Sequence, residues 1–186
     1  RSVRTSIIGI LANVFGGDSI INVSIEGEVF HKSLTGGFVG YMVGFNVVNQ
    51  SVSKVKLRGE GSVACFAATV QSGEFVGNRS ECVLDSAGNT ANFAGFVGTV
   101  NKYALFKNDT NMTSVLRTGT NSGGSATSSG FVWKVDSDAT VYFDNSLNLG
   151  SMKNSYNFGG SVAGFVGSVK GNVVFDNTVN KGDIVD

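Results

Sequence analysis

Proline is absent from this 186-residue chain, histidine occurs once, cysteine twice, and charged residues make up only 15% of the total. A chain with no proline and so few charges, rich instead in small polar residues, is made of strands and tight turns. The lone histidine, His31, sits beside Lys32 in an expected turn. A histidine-based metal site or a Ser-His-Asp triad therefore has no second element to build on, and a surface histidine is the plainer reading. Lys plus Arg and Asp plus Glu balance at 14 each, so no broad field draws the chain to nucleic acid or an anionic membrane. No apolar run approaches the roughly 20 residues of a membrane-spanning helix. The opening Arg1-Ser-Val-Arg-Thr-Ser6 has neither an initiating Met nor the apolar core of a signal peptide. That start reads as a processed product or a segment of a longer chain. No Gly-x-x-x-x-Gly-Lys-Ser/Thr occurs, so the glycine runs are not phosphate loops. No cofactor is expected.

What is abundant is glycine, 26 residues, set among asparagine, serine and threonine, with 41% hydrophobic content. That composition suits short strands and tight turns around one continuous core. A repeat organises it. An anchor of a small residue, an aromatic or aliphatic one, two small or apolar ones, a variable one and Val or Met recurs six times, beginning near 9, 37, 65, 95, 130 and 164. It reads Gly37-Phe-Val-Gly-Tyr-Met42, Gly95-Phe-Val-Gly-Thr-Val100 and Gly164-Phe-Val-Gly-Ser-Val169, with looser copies at Gly9, Cys65 and Gly130. From Ile10 through Phe38, Phe66, Phe96 and Phe131 to Phe165 the steps are 28, 28, 30, 35 and 34 residues. These six are the expected core anchors.

A second similarity follows each anchor. Val141-Tyr-Phe-Asp-Asn-Ser-Leu-Asn-Leu-Gly-Ser-Met152 aligns without a gap to Val173-Val-Phe-Asp-Asn-Thr-Val-Asn-Lys-Gly-Asp-Ile184. Asn22, Asn49, Asn108, Asn145 and Asn177 recur after their anchors, with Ser86 as the third repeat's substitute; Asn89, Asn111, Asn148 and Asn180 form a second set. Such fixed-period similarity predicts an all-β chain: a single parallel β-solenoid (β-helix) of about six coils, roughly three short strands each, spanning 1–186 as one domain. The anchor is strand one, Val-x-Phe strand two, and the segment after the Asn pair strand three. Gly and Asn supply positive φ at the corners, and coil stacking repeats each side chain every ~4.8 Å, so the first Asn set is expected to form an inward structural ladder of hydrogen-bonded amides; the alternative is an outward corner, where Asn22, Asn49 and Asn108 could all carry glycans. An antiparallel sandwich is the competing architecture, but it requires no residue-level repeat. Phe75-Val-Gly77 imitates the anchor out of period and is read as part of an insertion around 71–80; Thr118–Ser129 reads as a flexible loop.

The Gly-Phe-Val-Gly anchors followed by Asn-x-x-Asn-x-Gly resemble the glycine-rich repeats of large surface proteins of protists and bacteria, including those with GLUG-type repeats. The resemblance implies a parallel solenoid displayed extracellularly or at the cell surface, with roles in adhesion or architecture and no catalytic residue. The chain stops where a next anchor is due, so self-association, or continuation into neighbouring repeats, is the expected partnership.

Other chemistry is thinner. Asn-x-Ser/Thr sequons stand at Asn22, Asn49, Asn78, Asn108 and Asn111, with Asn78 and then Asn111 the leading candidates for glycans. Cys65 and Cys82 are candidates for one disulfide, with buried thiols as the alternative. Trp133, Tyr41, Tyr103 and Tyr142 suit a carbohydrate-binding surface if they share a face, although core packing is the plainer role. Asp136 and Asp138, with Asp144 and Asp176 in equivalent positions of successive repeats, suggest a polysaccharide lyase or hydrolase of β-helix type, against the plainer reading of solvated turn residues.

Overall fold

The computed structural model describes residues 7–9, 11–31, 34–59, 62–86, 92–117, 127–154 and 161–185. It is an all-β parallel solenoid. Three sheets wrap one core, and every strand pairs in parallel with its equivalent in the next repeat. The first sheet is narrow, built from Ile7–Ile8, Leu34–Gly36, Val63–Ala64, Phe93–Ala94, Ser128–Ser129 and Val162–Ala163. The second carries the anchors, in the order Leu11–Val14, Val39–Asn49, Ala67–Val76, Val97–Lys107, Val132–Val135 and Val166–Val169. The third runs from Ser24–His31 and Val52–Gly59 to Val179–Asn180 and Ile184–Val185.

The division into faces differs from the one expected. Anchor and Val-x-Phe segments lie on one sheet, not two: in the second, third and fourth repeats they are a single strand of ten or eleven residues. A register shift between Met42 and Phe45 and between Val100 and Tyr103 marks the junction. In the fifth repeat a turn separates Val132–Val135 from Thr140–Asp144, with the Ala139 amide donating to the Asp136 carbonyl at 3.0 Å. The remaining face is the narrow sheet just ahead of the anchor, which is too short to show an alternating pattern. Differences in repeat length gather between the third sheet and the next narrow strand, at 87–91, 118–126 and 155–160, outside the described residues.

Two columns of phenylalanine fill the interior. Phe38, Phe66, Phe96, Phe131 and Phe165 stack with ring centroids 4.6 to 5.0 Å apart and planes within 9°, the spacing of the backbone ladder itself. Ile10, the first anchor, lies outside the described residues. Phe75, Phe106, Phe143 and Phe175 form the second column at 5.0 to 5.1 Å. The two columns meet edge to face, as at Phe96–Phe106 (5.9 Å) and Phe131–Phe143 (5.5 Å), the arrangement that ring quadrupoles favour. Phe75 is therefore a core residue in register, and the reading of 71–80 as an insertion fails. Its strand is one residue shorter than those on either side, which brings Phe75 closer to its anchor and disguises the match.

Candidate functional site

The inward ladder expected of the first asparagine set is built by the second. Asn22, Asn108, Asn145 and Asn177 all adopt the left-handed conformation (φ 46 to 55°), and Gln50 (φ 48°) and Gly77 (φ 66°) complete the column. Asn49 is the last strand residue before this corner, paired with Val76, and Ser86 pairs with Gly59 on the third sheet. Position and not residue type identifies the corner. Gln50 lies twelve residues after Phe38, as Asn22, Asn108 and Asn177 do after Ile10, Phe96 and Phe165. The column is exposed, because what it supplies is a backbone turn that Asn and Gly tolerate. One amide bond runs along it, from Asn145 Nδ2 to Asn108 Oδ1 at 2.6 Å.

The inward ladder is the second set. Asn111 Nδ2 donates to Asn148 Oδ1 and Asn148 Nδ2 to Asn180 Oδ1, each at 2.6 Å. Each amide also donates to the carbonyl two residues ahead: Thr113 at 3.3 Å, Gly150 at 3.1 Å and Gly182 at 3.0 Å. The bond is the same whether Thr113 or glycine carries the carbonyl; glycine is needed at 150 and 182 because a Cβ there would collide with the carbonyl of Thr113 or Gly150 in the rung before. The ladder also adds to the reason for glycine in the anchors. A Cβ on Gly95 or Gly130 would collide first with the carbonyl of the next anchor's glycine and then with the Asn111 or Asn148 amide, and one on Gly164 would collide with the Asn180 amide. In the third repeat the ladder residue is the smaller Ser80, and there the anchor carries Cys65 in place of Gly. Cys65 is joined to Cys82 across the coil, with Cα atoms 5.9 Å apart. Asn89 lies outside the described residues.

This geometry overturns the two leading glycan positions. Asn78 and Asn111 are 1% and 0% exposed, and their side-chain amides are engaged inside the coil, so neither accepts a glycan in the folded chain. Asn22 and Asn108 are exposed at the corner and Asn49 is half-buried.

Asn78 leads to a residue that motif reading missed. Immediately past the exposed corner the side chain turns inward, and in the fourth repeat that side chain is Asp109. Its Oδ1 accepts the Asn78 backbone N–H at 2.6 Å and Asn78 Nδ2 at 3.0 Å, while Oδ2 meets no partner. Burial pushes the carboxyl well above its usual range, against the opposing pull of the hydrogen bonds from Asn78. A carboxyl raised on folding contributes full stability below its unfolded pKa of about 3.9, and loses it as pH climbs through the folded value. Asp109→Asn keeps the neutral form and the Oδ1 acceptor. The variant should therefore gain stability over the parent as pH is raised from about 4 to 8, read by urea denaturation at each pH. A constant difference across that window would show that Asp109 is ionised in the fold.

The carboxylates singled out for catalysis are neighbours in register. Asp144 pairs with Asp176, and Lys107 occupies the same column on the other side. Lys107 Nζ lies 2.7 Å from Asp144 Oδ2, and this bond and the carboxylate charge raise the ammonium's pKa. Asp144 is thus held in an ion pair at the surface. Asp136 pairs with Lys134 at 2.5 Å, and Asp138 is exposed in the adjoining turn. His31 lies on the Ser24–His31 strand. Among the described residues no group of three His, Cys, Asp or Glu is placed to hold a metal ion, and no helix is long and apolar enough to cross a membrane.

The aromatics divide. Tyr103 and Tyr142 stand on the outer surface of the second sheet with ring centroids 6.0 Å apart, and Phe45, absent from the sequence reading, extends the row at 6.3 Å from Tyr103. Burial first, then the charge of Glu74 and the nearness of Tyr142, raises the Tyr103 hydroxyl pKa. Trp133 and Tyr41 are half-buried further back on the sheet and join no ring pair among the described residues. Comparison with family models, curated proteins and solved structures returns no match to this chain.

Proposed function

We propose that the chain is a non-catalytic structural module of an extracellular or cell-surface rod, acting through length, stiffness and a repeated surface, and extended by further rungs at its open edge. The observation that carries this is the contrast between Phe143, 1% exposed, and Phe175, its equivalent in the last rung, 54% exposed. Phe175 stacks on Phe143 with its other face bare, beside a parallel edge whose register is already set. Such an edge is a template for another rung of the same kind, from a neighbouring repeat or a second copy. The Cys65–Cys82 bridge supports an oxidising location.

The test is sedimentation velocity over a concentration series. The parent protein should shift to longer species as concentration rises, and Phe175→Lys, which places a charge on the growing edge, should stay monomeric. A parent that remains a monodisperse monomer at the highest concentration would overturn end-to-end stacking.

A further inference from the structure

The outer surface of the second sheet carries a feature that stacking does not use. Phe45, Tyr103 and Tyr142 follow one another along the solenoid axis, with Ser72 the small residue in register between Phe45 and Tyr103 and Thr140 beyond Tyr103. Phe45 and Tyr142 are 46% and 40% exposed. A shallow groove beside them is lined by Tyr103, Leu105, Tyr142, Asp144, Val174 and Asp176. Along one side the last three rungs each add a polar pair, Lys107 and Asn108, Asp144 and Asn145, Asp176 and Asn177, where the rung of Ser72 has Val76 and Gly77. The strip therefore repeats, at the spacing of the backbone ladder, a ring or aliphatic side chain next to a charged group and a corner amide.

We infer that this strip binds a neutral linear polysaccharide lying along the solenoid axis. A pyranose ring offers an apolar C–H face and a rim of hydroxyls. Exposed aromatic rings pack against the first without directional bonds, while carboxylate, ammonium and amide groups pair with the second. Charge narrows the ligand class. Glu74, Asp144 and Asp176 stand against Lys102 and Lys107 on these strands, so no excess of positive charge draws a polyanionic glycan to this face. Register places Phe45 and Tyr103 in one column and Tyr142 in the next, opposite Leu105, so the rings run obliquely across a sheet that already holds them and little ordering is needed on binding.

Affinity electrophoresis and titration calorimetry against hydroxyethyl cellulose, laminarin and galactomannan test this, with dextran sulfate as the polyanion and an oligolysine peptide as the basic chain. At least one neutral polymer should bind saturably and dextran sulfate should not. Tyr142→Ala should weaken that binding by about ten-fold or more, Tyr142→Phe should leave it within about two-fold, and Tyr103→Ala/Tyr142→Ala should abolish it. Circular dichroism of each variant confirms the fold, since both rings lie on the surface. Failure of all three neutral polymers, binding that survives the double substitution, or binding of oligolysine alone would overturn the proposal. Sedimentation of the double variant should match the parent, which separates this result from the fate of end-to-end stacking.

Discussion

Replacing Phe106 with alanine should lower the unfolding free energy by about 3 to 5 kcal/mol, measured by urea denaturation. Phe106 is fully buried, stacked between Phe75 at 5.0 Å and Phe143 at 5.1 Å, and it meets Phe96 and Phe131 edge-on at 5.9 and 5.7 Å. Truncation removes a ring that four others touch, and the parallel ladders on both sides keep the walls from closing on the space. In a stack where each rung contacts only its neighbours, a defect at the middle also weakens the coupling between the two ends. The urea dependence should therefore become shallower as well as shifted, because the halves begin to unfold separately. Phe175→Ala in the same column supplies the comparison. With one face already in solvent it should cost less than half as much. Equal losses at the two positions would mean that the column does not behave as a chain of nearest-neighbour contacts.

The repeat was legible because stacking places the same side chain in the same surroundings rung after rung. Phe38, Phe66, Phe96, Phe131 and Phe165 needed only a common spacing to be placed in one column, and the parallel solenoid followed from them. The phase of the side chains was not legible by the same means. Asparagine suits both an exposed left-handed corner and an interior amide ladder, so Asn145 and Asn148 look alike as letters while one turns out and the other in. The corner tolerates Gln50 and Gly77 as readily as Asn, which blurs its composition. Toward the start the ladder shortens to Ser80 and to Ser53, its register partner in the second repeat, which blurs its own. Sequon reading went wrong at Asn78 for a related reason: the residue just past the corner faces the core, and hydrophilic spelling at that place serves buried backbone groups. On the candidate binding face, Tyr103 and Tyr142 were visible two and three repeats along, but Phe45 joins them only because a register shift after Met42 turns it to the same surface.

The inward ladder makes the second strong prediction. Asn148→Ala should cost about 3 kcal/mol, from side-chain hydrogen bonds lost at about 1 to 3 kcal/mol per buried group left unpaired. Asn148 accepts from Asn111 and donates to Asn180 and to the Gly150 carbonyl. Alanine leaves the buried Gly150 carbonyl without a side-chain partner and Asn111 Nδ2 with only the longer bond to Thr113, while the exposed Asn180 amide turns to water. The space released lies beside Gly130, whose missing Cβ had made room for the amide. Asn145→Gly, three residues away, is the discriminating control. It removes the exposed 2.6 Å bond to Asn108 but keeps a residue suited to φ 51°, as Gly77 does in the third repeat, so its effect should stay within about 0.5 kcal/mol. If the losses were reversed, with the corner costly and the interior cheap, the amides that hold the rungs together would be those at the surface. Of the anchors, Gly164 would then lose the packing reason assigned to it, since its Cβ would meet only the Asn180 amide, whereas Gly95 and Gly130 would still be held to glycine by the carbonyl of the next anchor.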